Sequence, residues 1–257
     1  MIEILRAVEK RLSDYSNSRI SREIGEHDGM FVRGVGGAEE HYFSVGRSAI
    51  ELIAQAMIAT RQTKFQKVLD LPSGGGRVTR HLVKFFPDSE IFVSELDQRN
   101  EGFAAAAFGA KPIISSPDFT NTHGQTFDLI FVGSLVTHLR EDKFKTAVKW
   151  FIDALAPNGV LVLTTSGRRA DYCERNINHY IDPKLWEGVT EGLRTNGIGY
   201  IETERNDAGS FGFTLASPSW VARLVEQDES VRISMVQESA WDNHQDVIVI
   251  QKRPLNG

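Results

Sequence analysis

One cysteine, Cys173, stands in 257 residues, so no disulfide can close within the chain and no cysteine-based zinc cage can be built. With no base near it in sequence, Cys173 reads as a bystander rather than a nucleophile. An excess of positive charge is also missing. Lys and Arg number 29 against 34 Asp and Glu, the net charge is −5, and no basic run or tail interrupts the balance. That composition lacks the electrostatic footprint of a nucleic-acid binder and suits a small-molecule partner. No apolar run approaches the length of a membrane span. The opening "MIEILRAVEKRLSDY" is charged throughout and has no apolar segment of the kind that marks a signal peptide. These absences predict a cytoplasmic protein with no nucleic-acid or membrane partner. What is present, 41% hydrophobic and 25% charged residues, is ordinary for a globular chain that buries a sizeable core.

Periodicity divides the chain. Ile2, Leu5, Val8, Leu12 and Tyr15 recur at helical spacing, predicting an amphipathic helix whose stripe packs on the body or on a second subunit, so a homodimer is one expectation. Residues 25–43 are rich in glycine and charge and read as a loop serving or covering a site. A helix is expected next, with Ser44 as its N-cap and Val45, Ala49, Leu52, Ile53 and Ala56 on one face. These features set 1–43, a helix and lid, apart from a main domain over 44–257.

From Lys67 onward, apolar strands alternate with amphipathic helices. The strands are "KVLDL", "EIFVSEL", "KPIIS", "FDLIFVG" and "GVLVLTTS". The last of the intervening helices carries Phe144, Val148, Phe151, Ile152 and Leu155 and is stopped by "APNG". Near-continuous apolar strands joined by helices predict a parallel sheet covered on both faces, hence a doubly wound α/β domain. After Ser166 the alternation breaks into an insertion over 167–216 with a candidate hairpin, "IGYIETE" and "SFGFTLA". Ser217-Pro218 opens another helix, with Pro at its first position. Two final strands, "VRISMVQ" and "DVIVIQK", are joined by a connection too short for a helical crossover and must pair antiparallel.

The stretch "KVLDLPSGGGRV" places Gly74, Gly75 and Gly76 at the carboxyl end of the first strand, where doubly wound sheets bind ligands. Glycine lets backbone N–H groups approach a ligand without a Cβ in the way, and the following helix favours a negative group. Two acids narrow the choice. Asp70 ends the first strand beside the loop, where it would repel a pyrophosphate and attract an ammonium. Glu95 ends the second, about 20 residues past the last glycine, where an acid accepts ribose hydroxyls. A carboxylate, an ammonium and a ribose together describe S-adenosylmethionine (SAM). For a dinucleotide, Thr79 would stand where the fingerprint has its third glycine.

In order and spacing, "VLDLPSGGGRV", "IFVSELD", "FDLIFVGSLVTHL" and "LAPNGVLVLTTSGR" resemble motifs of the class I SAM-dependent methyltransferases over about residues 66–166. The resemblance implies a mostly parallel seven-stranded sheet with the last strand antiparallel, and SAM as cofactor. By position it implies that Asp70, Ser73, Gly74 and Gly76 surround the methionine end. Glu95 would take the ribose, Leu96 would lie against the adenine, and Ser116 to Asp118 would approach the adenine edge. Gly133, Ser134 and Leu135 would pass beneath the sulfonium. The departure is Pro72, where the family usually has glycine; its fixed φ bars a positive φ there and pre-sets the loop.

Three segments are candidates for the acceptor side: the loop 25–43, the insertion 167–216, and "ESAWDNHQD" between the last strands, which carries Trp241 and His244. Methyl transfer is an in-line displacement served by positioning and desolvation. A hydroxyl acceptor also benefits from a base near neutrality, for which His138 is best placed, His244 second and His179 third. Local packing is the competing role for each. Tyr172, Tyr180, Trp186, Phe211 and Phe213 line a sugar- or ring-binding cleft or form the insertion's own core. Glu39, Glu40 and His41 read as a solvated face, and no metal is predicted. The expected activity is methylation of oxygen or nitrogen on a small molecule, a sugar or secondary metabolite. An NAD(P)-dependent oxidoreductase on a related fold and a non-catalytic SAM-binding protein are the alternatives.

Overall fold

The computed structural model describes residues 1–120, 124–206 and 209–254. Helices α1 (Ile2–Ser16) and α2 (Ala38–Thr60) come first. The alternating core follows as β1 (Lys67–Leu71), α3 (Thr79–Phe85), β2 (Glu90–Val93), α4 (Gln98–Phe108), β3 (Lys111–Pro112), β4 (Phe127–Val132), α5 (Glu141–Asp153) and β5 (Leu155–Thr165). The insertion holds α6 (Arg168–Cys173), α7 (Pro183–Asn196), β6 (Ile198–Asn206) and β7 (Gly209–Ala216). The chain closes with α8 (Pro218–Val225), β8 (Val231–Trp241) and β9 (Gln245–Lys252).

Seven strands form one sheet in the order β3-β2-β1-β4-β5-β9-β8. All are parallel except β9, which runs antiparallel between β5 and β8. This is the doubly wound sheet that the sequence implied. Residues alternate between its two faces, as the strand period of two requires. Val68, Ile91, Val93, Leu129, Phe131 and Val160 pack under α1, α2 and α3. Leu69, Leu71, Phe92, Ile130 and Leu161 pack on the other face with α5 and α8.

Several boundaries differ from the expectation. Helix α2 starts at Ala38 after Gly37, whose φ is 79°, so Ser44 lies inside the helix and donates to His41 O at 2.8 Å instead of capping. Leu155 belongs to β5, which begins before the Pro-Asn-Gly turn and bulges against β4. "ESAW" extends β8 instead of forming a loop. The insertion contains two helices that polar periodicity hid. Helix α7 packs on the β6–β7 hairpin around a small core of Ala170, Ile181, Trp186, Val189 and Leu215. That core is separate from the main sheet, and Ala216 N–H donating to Ser166 O at 2.8 Å brings the insertion's two ends together.

Candidate active site

Sheet register decides which loops meet. Asp70 pairs with Val93 on one side and Phe131 on the other, so Glu95 and Gly133 emerge at the same carboxyl edge as the glycine loop. Because β9 is antiparallel, with Asp246 opposite Thr165, the β8–β9 turn reaches this edge too. A cavity of about 890 Å³ opens there.

Asp70 lies wholly buried at the cavity floor and accepts a hydrogen bond from Thr79 Oγ1 at 2.6 Å. Burial raises its carboxyl to about 7, against the opposing pull of the Thr79 hydroxyl and the nearby Arg77 charge. Thr79 is thus a partner of Asp70 at the place where a dinucleotide fingerprint would need glycine. The Leu71–Pro72 peptide is cis, and Pro72, Ser73 and Gly74 follow it along the cavity wall. Ser73 N–H donates to Ser94 O at 3.1 Å, tying the loop to the end of β2.

Glu95 closes that corner: Oε2 accepts Gly74 N–H at 2.9 Å and Oε1 accepts Leu96 N–H at 2.7 Å. Leu96 lines the cavity while remaining 46% exposed, which leaves its side chain free to cover a flat ring. Gly76 behaves differently from its neighbours. It does not line the cavity. Its φ is 79°, and a Cβ there would lie 2.4 Å from the Phe108 ring, so Gly76 allows α3 and α4 to pack closely.

Ser116 and Asp118 form another stretch of wall, with Asp118 paired to Lys143. Across from them run Gly133, Ser134 and Leu135. Ser134 has φ of 60° and is locked on both sides. Its N–H donates to Thr164 Oγ1 at 2.8 Å, and its hydroxyl accepts from Gln245 Nε2 at 2.9 Å. Thr164 in turn donates to Gln245 Oε1 at 2.6 Å, so a non-glycine left-handed residue is held by a closed set of polar contacts.

His138 ends the short 3₁₀ turn after β4 and lines the same cavity. Its Nδ1 lies 2.9 Å from Gly212 O, and a carbonyl only accepts, so Nδ1 carries the proton and Nε2 keeps its lone pair. Phe211 stacks on the imidazole at 4.2 Å between ring centroids, and Phe213 meets it edge-on at 5.6 Å. Burial lowers the His138 pKa, keeping the ring neutral near pH 7, with the Gly212 contact pulling the other way.

The structure separates other candidates from this group. His244 sits in the β8–β9 turn outside the cavity wall, while Trp241 from the same segment lines it and donates Nε1–H to Val45 O at 3.2 Å. His179, at the end of the π-turn Glu174–Asn178, is also outside. Of the insertion's aromatics, Phe211 alone lines the cavity. Trp186 belongs to the insertion's own core and donates to Asp171 Oδ1, while Tyr172 and Tyr180 are exposed. Among the described residues no group of three or more His, Cys, Asp or Glu is gathered as metal ligands. Glu39 pairs with Arg22, and His41 lies 3.5 Å from Asp242.

The sequence marks the 25–43 loop as a candidate wall but does not single out the residues that line the cavity. His27, Asp28, Gly29 and Met30 all line the cavity, and so does Arg77. Asp28 is a buried acid in a stretch that reads as polar loop, and only its contact with Tyr42 on α2 and with the glycine loop marks it out.

No protein-family model matches this chain, and no curated protein matches it in sequence. Solved structures do resemble it. One is an amino pentose methyltransferase of Micromonospora echinaspora involved in calicheamicin biosynthesis, with SAM bound. It is 15% identical, with a TM-score of 0.57, over 88% of this chain and 100% of that one. A SAM-dependent methyltransferase from Clostridium acetobutylicum is 14% identical, with a TM-score of 0.54, over 83% and 92% of the two chains. The N-methyltransferase NodS of Bradyrhizobium japonicum, in complex with S-adenosyl-L-homocysteine (SAH), is 13% identical, with a TM-score of 0.51, over 96% and 98%. The chain has the Rossmann-like fold of these methyltransferases.

Proposed function

From that fold, we propose that the chain binds SAM and transfers its methyl group to oxygen or nitrogen of a small-molecule acceptor. The observation that carries this reading is convergence: Asp70, Gly74, Glu95, Gly133 to Leu135 and His138 line one cavity. Its volume, near the upper end for a single-ligand pocket, suits two reactants side by side. The donor set fits the cofactor. Gly74 has φ of 50° and nothing within 4 Å of its missing Cβ, which leaves open space beside the loop backbone. Glu95 Oε1 accepts both Leu96 N–H and Asp97 N–H, whereas Oε2 accepts Gly74 N–H alone and so retains a lone pair that can accept a ribose hydroxyl.

When bound, SAM supplies an electrophilic methyl group on a sulfonium. The chain's task is to orient it, exclude water and manage a proton. Phe131, Leu135, Phe211 and Trp241 give the cavity apolar walls that desolvate an incoming nucleophile. For a hydroxyl acceptor, the neutral His138 holds a basic Nε2 to receive the proton. An amine acceptor that arrives uncharged needs no such step. The shared fold with an amino pentose methyltransferase supports placing amino sugars and hydroxylated rings first among acceptors to try.

A dinucleotide suits this loop poorly, because Thr79 occupies the third glycine position and Asp70 would face a pyrophosphate. Calorimetric titration with SAM, SAH, NAD and NADP decides between the two. Affinity for SAM and SAH alone is expected, and absence of both would remove the methyltransferase reading. Mass-spectrometric detection of a 14-dalton gain across the acceptor panel then separates an enzyme from a protein that only binds SAM.

A further inference from the structure

Asp28 and Arg77 lie within electrostatic reach of one another at the glycine loop, yet they do not pair. Among the described residues no ion pair includes either, and no hydrogen bond engages the Arg77 guanidinium. That group instead lies 5.7 Å over the Trp241 ring. Asp28 is fixed from behind: Tyr42 OH donates to Oδ2, and Met30 N–H donates to Oδ1 at 2.9 Å. Its Oδ2 approaches the glycine loop so closely that a Cβ on Gly75 would lie 2.5 Å away. A pre-set anion and an unsatisfied cation, both on the wall of one cavity and both against the same loop, are complementary to a ligand end carrying both charges.

We propose that Asp28 and Arg77 form a clamp for the zwitterionic amino-acid end of the cofactor, Asp28 taking the α-ammonium and Arg77 the α-carboxylate. This rests on the SAM reading above and extends it, since it makes the N-terminal segment part of the cofactor site and not only a cover. Asp70 is the less suited carboxylate for this purpose, because burial raises it to about 7 and so favours its neutral form. Arg77 offers a planar fork of donors that matches a carboxylate. The gap between the two residues explains why neither neutralises the other in the protein alone.

The test compares SAH with 5′-methylthioadenosine, which keeps the adenosine and thioether but lacks the amino-acid end. Calorimetry on the wild type, Asp28→Asn and Arg77→Gln is sufficient. Each substitution is expected to weaken SAH binding about tenfold to a hundredfold, the range for a lost charge-assisted hydrogen bond, and to leave methylthioadenosine affinity unchanged. Unchanged methylthioadenosine binding also certifies that the variant cavity is folded. Variants that bind SAH as the wild type does, or that lose both ligands equally, overturn the clamp while the cofactor reading stands. A wild type that binds neither ligand overturns both.

Discussion

Asp70 shows how burial sets chemistry at a single residue. Its carboxyl, raised to about 7 by burial, is roughly half protonated at neutral pH before any ligand arrives. SAM carries a net positive charge, so its binding beside Asp70 would favour the ionised form and expel a proton. Titration of SAM at pH 7 in buffers of different ionisation enthalpy should show net proton release. The Asp70→Asn variant should show none, and a wild type without buffer dependence would count against this role. The same shift has a stability sign. A folded-state value above the unfolded one means the folded state binds the extra proton, so this contribution to stability is present in acid and is lost as pH rises toward 7. Gly76 makes a different point at this scale. The motif resemblance implies a cofactor contact for it, while in the structure it lies off the cavity wall with a positive φ and the Phe108 ring against it. Gly76→Ala should therefore destabilise by about 2–4 kcal/mol in urea denaturation, combining left-handed strain with overpacking.

Among the elements, the β6–β7 hairpin is the one whose function local pattern concealed. Alternating residues identified the two strands, but nothing in "SFGFTLA" announces that Gly212 O receives His138 Nδ1–H or that Phe211 covers the imidazole. A second tie, from Thr214 Oγ1 to Leu139 O at 2.6 Å, holds the hairpin to the turn after β4. The insertion thus orients a group supplied by the core sheet. If His138 is the base, His138→Gln should reduce kcat for a hydroxyl acceptor about 10²–10⁴-fold, the usual scale of general-base contributions, with SAH affinity unchanged. Because burial lowers its pKa, the acidic limb of the wild-type kcat/KM profile should fall below pH 6.5. A profile unaltered by the substitution would leave His138 with a packing role only.

Across the whole molecule, Arg80 joins the N-terminal segment to the glycine loop. It is fully buried on α3 and donates to Ser21 O at 3.1 Å, Glu23 O at 2.6 Å, Gly75 O at 3.4 Å and Gly76 O at 3.0 Å. Its remaining contact, with Tyr42 OH at 3.1 Å, supports the hydroxyl that anchors Asp28. A buried cation surrounded by carbonyls and aromatic faces is strongly committed to that arrangement. Arg80→Met would strand those carbonyls. It should cost about 3–5 kcal/mol in denaturation and accelerate amide exchange over residues 21–30. Equal exchange in both proteins would mean that the segment is held by other contacts.

The alternation of apolar strands with amphipathic helices sufficed to specify the sheet, because burial on both faces demands it locally. The glycine cluster and the two strand-end acids were legible for the same reason: each sits at a fixed offset from a strand end. The helices of the insertion escaped because their polar sides dominate a short window. Asp28 and Arg77 carry no local signature of facing the cavity, Phe211 stands in the sequence only as one of five candidate aromatics, and His138 ranks above His244 there only by its place after the fourth strand. What distinguishes them is which side of a turn meets the cavity, and that follows from the register of strands far apart in the chain. The sequence alone determined the sheet, its glycine loop and the acids beside it, through short-range periodicity. Only the tertiary structure decided which distant side chains close the site, because burial, orientation and unpaired charge depend on packing between separate elements.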